Sequence, residues 1–198
     1  MDIMKTINQA ISILTNPKQA LQNVKNEKME MMDIIMYLAI VSVPTLLGII
    51  IGYGLIGYGG YFLGASVGAA ILYYIIAIIG IIIFGYILNA FAPTFKSKQN
   101  VMQALKLVSY SSTPWLIAGI FYIHPSIWFL PALAGLYGLY ILYIGIPILM
   151  ETPKDQHIPF LIVAVVIYVI IMAAVWQIAW NIYWRISWGS TFYYRYRF

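Results

Sequence analysis

The sequence predicts an all-α, polytopic integral membrane protein with five transmembrane helices, preceded by short amphipathic N-terminal helices. Of its 198 residues, 63% are hydrophobic and only 9% are charged, whereas soluble domains average about 25% charged residues. The charges fall in short clusters, and the uncharged runs between them reach about the 20 apolar residues that cross a bilayer. We therefore expect the lipid bilayer to surround most of the chain.

Residues 1–31 are predicted to form the cytoplasmic amphipathic helices. Ile3, Ile7 and Ile11 recur at helical spacing between polar side chains, which is typical of a helix with one apolar face. The segment is also basic, and such a helix can lie on a membrane surface. We predict that it contacts the membrane surface or protein partners. A pair of solvated helices without a partner is the alternative. The residues predicted to make these contacts are Lys18, Lys25 and Lys28.

A membrane domain of five spans is predicted for residues 32–184. Pro44 should kink the first span, because proline lacks the N–H that continues a helix. The third span is the least apolar, and Lys106 near its start should extend its ammonium towards water along a flexible stem. The predicted limits of the spans are about 34–53, 63–88, 104–122, 127–150 and 160–183.

A row of small residues marks the beginning of the second span. Gly60, Gly64 and Gly68 lie four residues apart, a spacing that lets two helix backbones approach closely in lipid. This helix-packing face either joins two copies in a homo-oligomer or packs against another helix of the same chain. We prefer the second interpretation.

Positive charges predict the orientation. Eight of the eleven Lys and Arg residues fall on the side that holds the N-terminus in a five-span arrangement. Because cytoplasmic segments carry the excess of such charges, the N-terminus is predicted in the cytoplasm and the C-terminus outside it. The remaining three are arginines of an aromatic tail at residues 185–198, which is predicted to be extracytoplasmic.

A polar patch within the third span is the best candidate for an intramembrane site. Polar groups are costly at membrane depth, so they should face the bundle interior or a wet cavity. There they would form a small-solute or ion site together with carbonyls freed by the proline. The alternative, which we prefer, is that the hydroxyls satisfy backbone carbonyls around a kink. The patch consists of Ser109, Ser111, Ser112, Thr113 and Pro114.

Catalysis is not expected. The chain has no cysteine and two histidines, His124 and His157, which are predicted on opposite sides of the membrane. Glu151, Asp155 and His157 share one loop, which we interpret as a polar connection rather than a metal site. No phosphate-binding or nucleophile motif occurs in the sequence. We therefore expect no cofactor and no metal. Nucleic acid is not an expected partner, since the basic residues lie in loops near the membrane.

Four stretches resemble the Yip family, the Ypt/Rab-interacting membrane proteins, in its prokaryotic and archaeal form. The resemblance covers about residues 12–183, and its most specific part is the run of tyrosines and glycines in the fourth span. The stretches are Thr15-Asn16-Pro17-Lys18, residues 104–114, residues 135–147 and Glu151-Thr152-Pro153-Lys154.

The resemblance implies five spans, a cytoplasmic N-terminus and a short non-cytoplasmic C-terminus, in the cell membrane of a prokaryote or archaeon. Eukaryotic members act in membrane traffic and contact prenylated small GTPases. Residues 1–31, which precede the first predicted span, do not resemble their long cytoplasmic N-terminal region, and the tail at residues 185–198 departs from the usual ending. We expect a non-enzymatic membrane scaffold or adaptor that organises the membrane or recruits protein partners. The alternative is a small-solute or ion carrier or channel that uses the third-span patch.

Overall fold

The protein is all-helical. The computed structural model describes residues 2–56, 63–127 and 129–195, which form eight α-helices joined by short 3₁₀ turns and one π-helical turn, with no β-strand among these residues. The helices are α1 (Ile3–Thr15), α2 (Pro17–Asn26), α3 (Met31–Val41), α4 (Val43–Ile49), α5 (Leu63–Phe91), α6 (Val101–Ala118), α7 (Leu130–Leu149) and α8 (His157–Arg195).

Several of these helices begin after a residue whose side chain accepts a hydrogen bond from a backbone N–H group of the first turn. Asn16 precedes Pro17 and accepts a hydrogen bond from Gln19 N at 3.4 Å, so α2 begins with a capped turn. Asn100 accepts from Gln103 N at 3.2 Å at the beginning of α6. These bonds satisfy N–H groups that have no partner within a helix.

Four helical segments are long and apolar enough to cross a membrane: Met31–Ile56, Val67–Phe95, Leu130–Leu149 and Lys154–Ile182. The first comprises α3, α4 and a π-helical turn at residues 50–56, and it is interrupted at Ser42. The interruption precedes Pro44, whose missing N–H leaves the carbonyl of Ile40 without its helical partner. The fold is therefore that of an integral membrane protein with several helices that can cross the bilayer.

α6 occupies the centre of the bundle. All residues from Ala104 to Leu116 are buried, and the helix packs against α3, α4, α5 and α7. Because neighbouring helices rather than lipid surround it, α6 can carry more polar side chains than the helices at the periphery. This explains why the third predicted span is much less apolar than the other four.

One end of the bundle gathers α2 and the loops that precede α6 and α8. Lys98 N donates to Met150 O at 2.8 Å, and the Ser97 and Thr152 hydroxyl oxygens lie 2.8 Å apart. Lys25 of α2 forms an ion pair with Glu151 at 2.9 Å. We call this end the loop end.

The opposite end of the bundle joins α4 to the 3₁₀ turn at residues 119–123 that follows α6. Thr45 Oγ1 donates to Leu116 O at 2.5 Å. A Cβ added to Gly48 would overlap the Gly119 carbonyl oxygen, so this glycine permits the close approach of two backbones. α6 thus runs the full distance from the loop end to the opposite end.

Candidate functional site

The C-terminal end of α2 is held by two side chains of α6. Lys106 Nζ donates to Val24 O at 2.8 Å and to Glu27 O at 2.6 Å. Gln103 Nε2 donates to Lys25 O at 2.9 Å. The last carbonyls of a helix have no helical partner, and they form the negative end of its dipole. A lysine ammonium is therefore well suited to this position.

Lys106 is almost completely buried, with 2% of its surface exposed. The expected extension of its ammonium towards water does not occur, because the carbonyls of α2 replace water as its hydrogen-bond acceptors. A buried ammonium without such acceptors would be very costly. The burial of the Lys106 ammonium is thus favourable only while α2 is docked on the bundle. The docking of α2 in turn depends on the hydrogen bonds from Lys106.

The end of α1 is held in the same manner by α7. Tyr137 Oη donates to Leu14 O at 2.9 Å, again a carbonyl in the last turn of a helix. Three donors on α6 and α7 therefore fix the two N-terminal helices by their backbone carbonyls. We call Gln103, Lys106 and Tyr137 the docking site.

A charged network links α1 to α2. Lys5 and Gln9 of α1 both bond to the carboxylate of Glu27, Gln9 through Nε2 at 2.8 Å. Glu27 raises the pKa of the Lys5 ammonium above its ordinary value, chiefly through their hydrogen bond. A groove of about 440 Å³ lies between the two helices, with Asn8, Asn23 and these residues among its lining. Glu27 thus engages two of the polar side chains that line this groove.

The third-span hydroxyls bond within their own helix. Ser111 Oγ donates to Leu107 O at 2.7 Å, and Ser112 Oγ donates to Val108 O at 2.8 Å. The cavity beside them holds only about 20 Å³, which is room for about one water molecule. In this geometry the two hydroxyls satisfy backbone carbonyls of their own helix, which is the interpretation preferred in the sequence analysis.

The other members of the patch tie α6 to the first span. Thr113 Oγ1 lies 2.7 Å from Tyr37 Oη, and the rings of Tyr37 and Tyr110 are 4.6 Å apart. Ser109 Oγ is buried without a hydrogen-bond partner among the described residues. α6 continues through Pro114. The ligand role predicted for the patch stays a prediction.

The predicted glycine face lies only partly within the described residues. Gly60 falls outside them, Gly64 belongs to α5 but its surroundings are not described, and a Cβ at Gly68 would meet nothing within 4 Å. The structure instead shows close helix packing at Gly138 of α7. A Cβ there would lie 2.5 Å from the backbone oxygen of Ser111.

The three lysines predicted to make surface contacts are in different environments. Lys18 and Lys28 are exposed and form no ion pair with any residue in the described ranges. Lys25 instead pairs with Glu151, which also lies 3.6 Å from Lys98. The hydrogen bond from Lys25 and the charges of both lysines hold the pKa of the Glu151 carboxyl below its ordinary value.

Glu151→Gln is expected to lower the melting temperature slightly at neutral pH, because the variant loses both lysine partners. A carboxylate with a lowered folded-state pKa stabilises the protein above its unfolded pKa, and this stabilisation is lost as pH falls through the lowered value. The difference between wild type and variant should thus shrink in acid, and also in 1 M salt. Thermal unfolding in detergent at several pH values measures this difference in melting temperature. Equal melting temperatures at neutral pH and low salt would contradict this role.

The acidic and histidine side chains of the loop before α8 do not form one metal-binding site. His157 Nε2 lies 2.7 Å from Thr152 O, whereas Glu151 faces the two lysines. Throughout residues 2–56, 63–127 and 129–195, no three His, Asp or Glu side chains are placed to hold a metal ion.

Sequence reasoning missed the docking site because the acceptors are backbone carbonyls, which any residue type provides. Lys106 and Val24 are separated by 82 positions along the chain. The available signal was a single lysine in an otherwise uncharged predicted span, since an ionisable residue at such a position needs a partner.

Residues 11–177 match the model of the Yip1 domain family. The inner membrane protein YohC of Escherichia coli strain K12 is 26% identical over 95 residues, which cover 46% of this chain and 48% of YohC. The protein of the same name from Escherichia coli O6:H1 strain CFT073 is similar to the same extent. The chain spans about half the length of these curated relatives. No solved structure matches the chain. The Yip1 match extends over most of the sequence, and the chain belongs to the Yip1 domain family.

Proposed function

We propose that the chain is a non-enzymatic integral membrane scaffold or adaptor that presents its N-terminal helices to protein partners at one membrane face. The observation that carries this proposal is the docking site. Three membrane-helix side chains fix α1 and α2 by their terminal carbonyls, so both helices have a defined position on the bundle. A fixed surface loses less conformational freedom on binding than a mobile segment does.

The partner contacts in this proposal are Lys18 and Lys28. Both are exposed on or beside α2, whereas Lys25 is engaged with Glu151. Exposed charges at the rim of an interface guide association and select partners of opposite charge. We therefore propose an acidic surface on the partner.

We further propose five spans, with the N-terminus in the cytoplasm and the C-terminus outside the cell membrane. Support for the fifth span comes from α6, which extends between the two ends of the bundle although it is not among the four most apolar segments. Residues 1–31, 32–184 and 185–198 are then the N-terminal helices, the membrane domain and the tail.

The carrier alternative receives less support. Ser111 and Ser112 donate to carbonyls of their own helix, and the cavity beside them is too small for a solute larger than water. Replacing Ser111, Ser112 and Thr113 together by alanine is expected to leave reconstituted vesicles without solute flux, as for the wild type. A wild-type flux that the triple variant loses would overturn this expectation and favour the carrier.

The adaptor proposal is tested by charge reversal at Lys18 and Lys28 in the full-length protein. After crosslinking in the native membrane, the wild type should retain a reproducible set of protein partners, and Lys18→Glu/Lys28→Glu should lose most of them. Lys154→Glu is the matched control, since Lys154 is exposed in a loop at the same end of the bundle. Recovery of the same partners in equal amounts by all three proteins would contradict the proposal.

A further inference from the structure

α1 has three distinct faces. Thr6, Ala10 and Ile13 are buried against the rest of the protein. Lys5 and Gln9 lie on a polar face that lines the groove beside α2, together with Asn8 and Ser12. The third face is entirely apolar and exposed. It consists of Ile3, Met4, Ile7 and Ile11, with exposed fractions of 59%, 62%, 41% and 52%. We call these four residues the apolar stripe.

The apolar stripe is a continuous surface rather than a set of isolated side chains. Its isoleucines repeat every four residues, so they stack along one side of the helix. The docked face is already occupied by other residues of the chain, and α2 lies on the polar side through the bonds of Lys5 and Gln9 to Glu27. The isoleucines of the stripe therefore point away from both, and Met4 at its edge also lines the groove.

The position of α1 indicates what covers the stripe. Its last turn is bonded to Tyr137, and the next tyrosines on α7, Tyr140 and Tyr143, are exposed. These tyrosines lie well inside the apolar segment Leu130–Leu149, so the surface of α7 beside α1 faces lipid rather than water. α1 also packs against α3, whose exposed Met32 continues the apolar surface towards the side of the bundle.

We propose that the apolar stripe is embedded in the lipid bilayer, at the boundary between headgroups and acyl chains. α1 then keeps its apolar stripe in lipid, while its polar face, which lines the groove beside α2, is turned towards water. The known physics of amphipathic helices places such a face about 5–10 Å into this boundary. This inference rests on the membrane embedding of the chain and is independent of the adaptor role, so either can fail alone.

Single-cysteine spin labels test the proposal without background labelling, because the chain has no cysteine. Ile7→Cys and Ile11→Cys report on the stripe, and Asn8→Cys on the exposed polar face of the same helix is the matched control. Each full-length variant is labelled and reconstituted into vesicles of phosphatidylethanolamine and phosphatidylglycerol. Collision rates with oxygen, which prefers lipid, and with a water-soluble nickel complex are then measured.

Labels at residues 7 and 11 are expected to collide more with oxygen than with nickel, and the label at residue 8 should show the reverse. Nickel accessibility at 7 and 11 equal to that at 8 would overturn the proposal, since the stripe would lie in water. Shielding from both reagents would also overturn it, because protein would cover the stripe, and dipolar broadening would then identify a second copy. Should one variant lower the melting temperature, Ile3→Cys provides another label on the stripe.

Discussion

Replacing Lys106 with methionine is expected to release the N-terminal helices from the membrane bundle. Methionine keeps a long unbranched side chain but removes the hydrogen bonds to Val24 O and Glu27 O. The loss of a charge-assisted hydrogen bond costs about 1.5–3 kcal/mol, so the docked state should weaken by roughly 10- to 100-fold. Once undocked, α2 with its 10 residues is too short to remain helical in water.

Trypsin measures this release, because Lys18 and Lys25 supply cleavage sites within α2. Cleavage after these lysines should accelerate by about the same factor as the docked state weakens, since cleavage tracks the open population. Lys98→Met is the matched control. Its lysine is exposed and belongs only to a surface ion pair, so this variant should be cut at the wild-type rate. Equal cleavage of Lys106→Met and wild type would show that Lys106 does not hold the helices.

Gly138→Ala should destabilise the packing of α7 on α6. The new methyl group would lie 2.5 Å from the backbone oxygen of Ser111, which cannot rotate away as a side chain could. Overpacking of this type costs about 1–3 kcal/mol. The melting temperature in detergent should fall by several degrees.

Gly135→Ala provides a control on the same helix, one turn away. Its added Cβ would meet only the Cβ of Trp115 at 4.0 Å, an ordinary contact distance. Alanine favours a helix over glycine by about 1 kcal/mol, so this variant should be as stable as the wild type or slightly more stable. An equal change in the melting temperature of both variants would indicate that close packing at Gly138 does not limit stability.

Local signals in the sequence predicted much of the architecture. The kink predicted at Pro44 corresponds to the interruption of the first apolar segment at Ser42. Hydropathy identified the four segments that are long and apolar enough to cross the membrane. α8 is helical to Arg195, beyond the predicted limit of its span at residue 183, since hydropathy reports the surrounding solvent and not where a helix ends.

The functional site was less accessible to sequence reasoning. Lys106, Gln103 and Tyr137 bond to backbone oxygens 78 or more positions away in the chain. Such contacts follow from the packing of helices and not from the pattern around each residue. The sequence did predict that the polar patch faces the bundle interior or a wet cavity, because its hydroxyls are costly in lipid; α6, which carries this patch, is buried at the centre of the bundle.

Whether α6 crosses the bilayer is tested most directly by impermeant maleimide labelling of Gln99→Cys and Ser126→Cys. Both positions are exposed, and they lie at opposite ends of α6. Five spans with a cytoplasmic N-terminus predict that only Ser126→Cys is labelled in intact cells and only Gln99→Cys in inverted vesicles. Labelling of both cysteines from the same side would contradict this arrangement, because α6 would then enter and leave the membrane on one face.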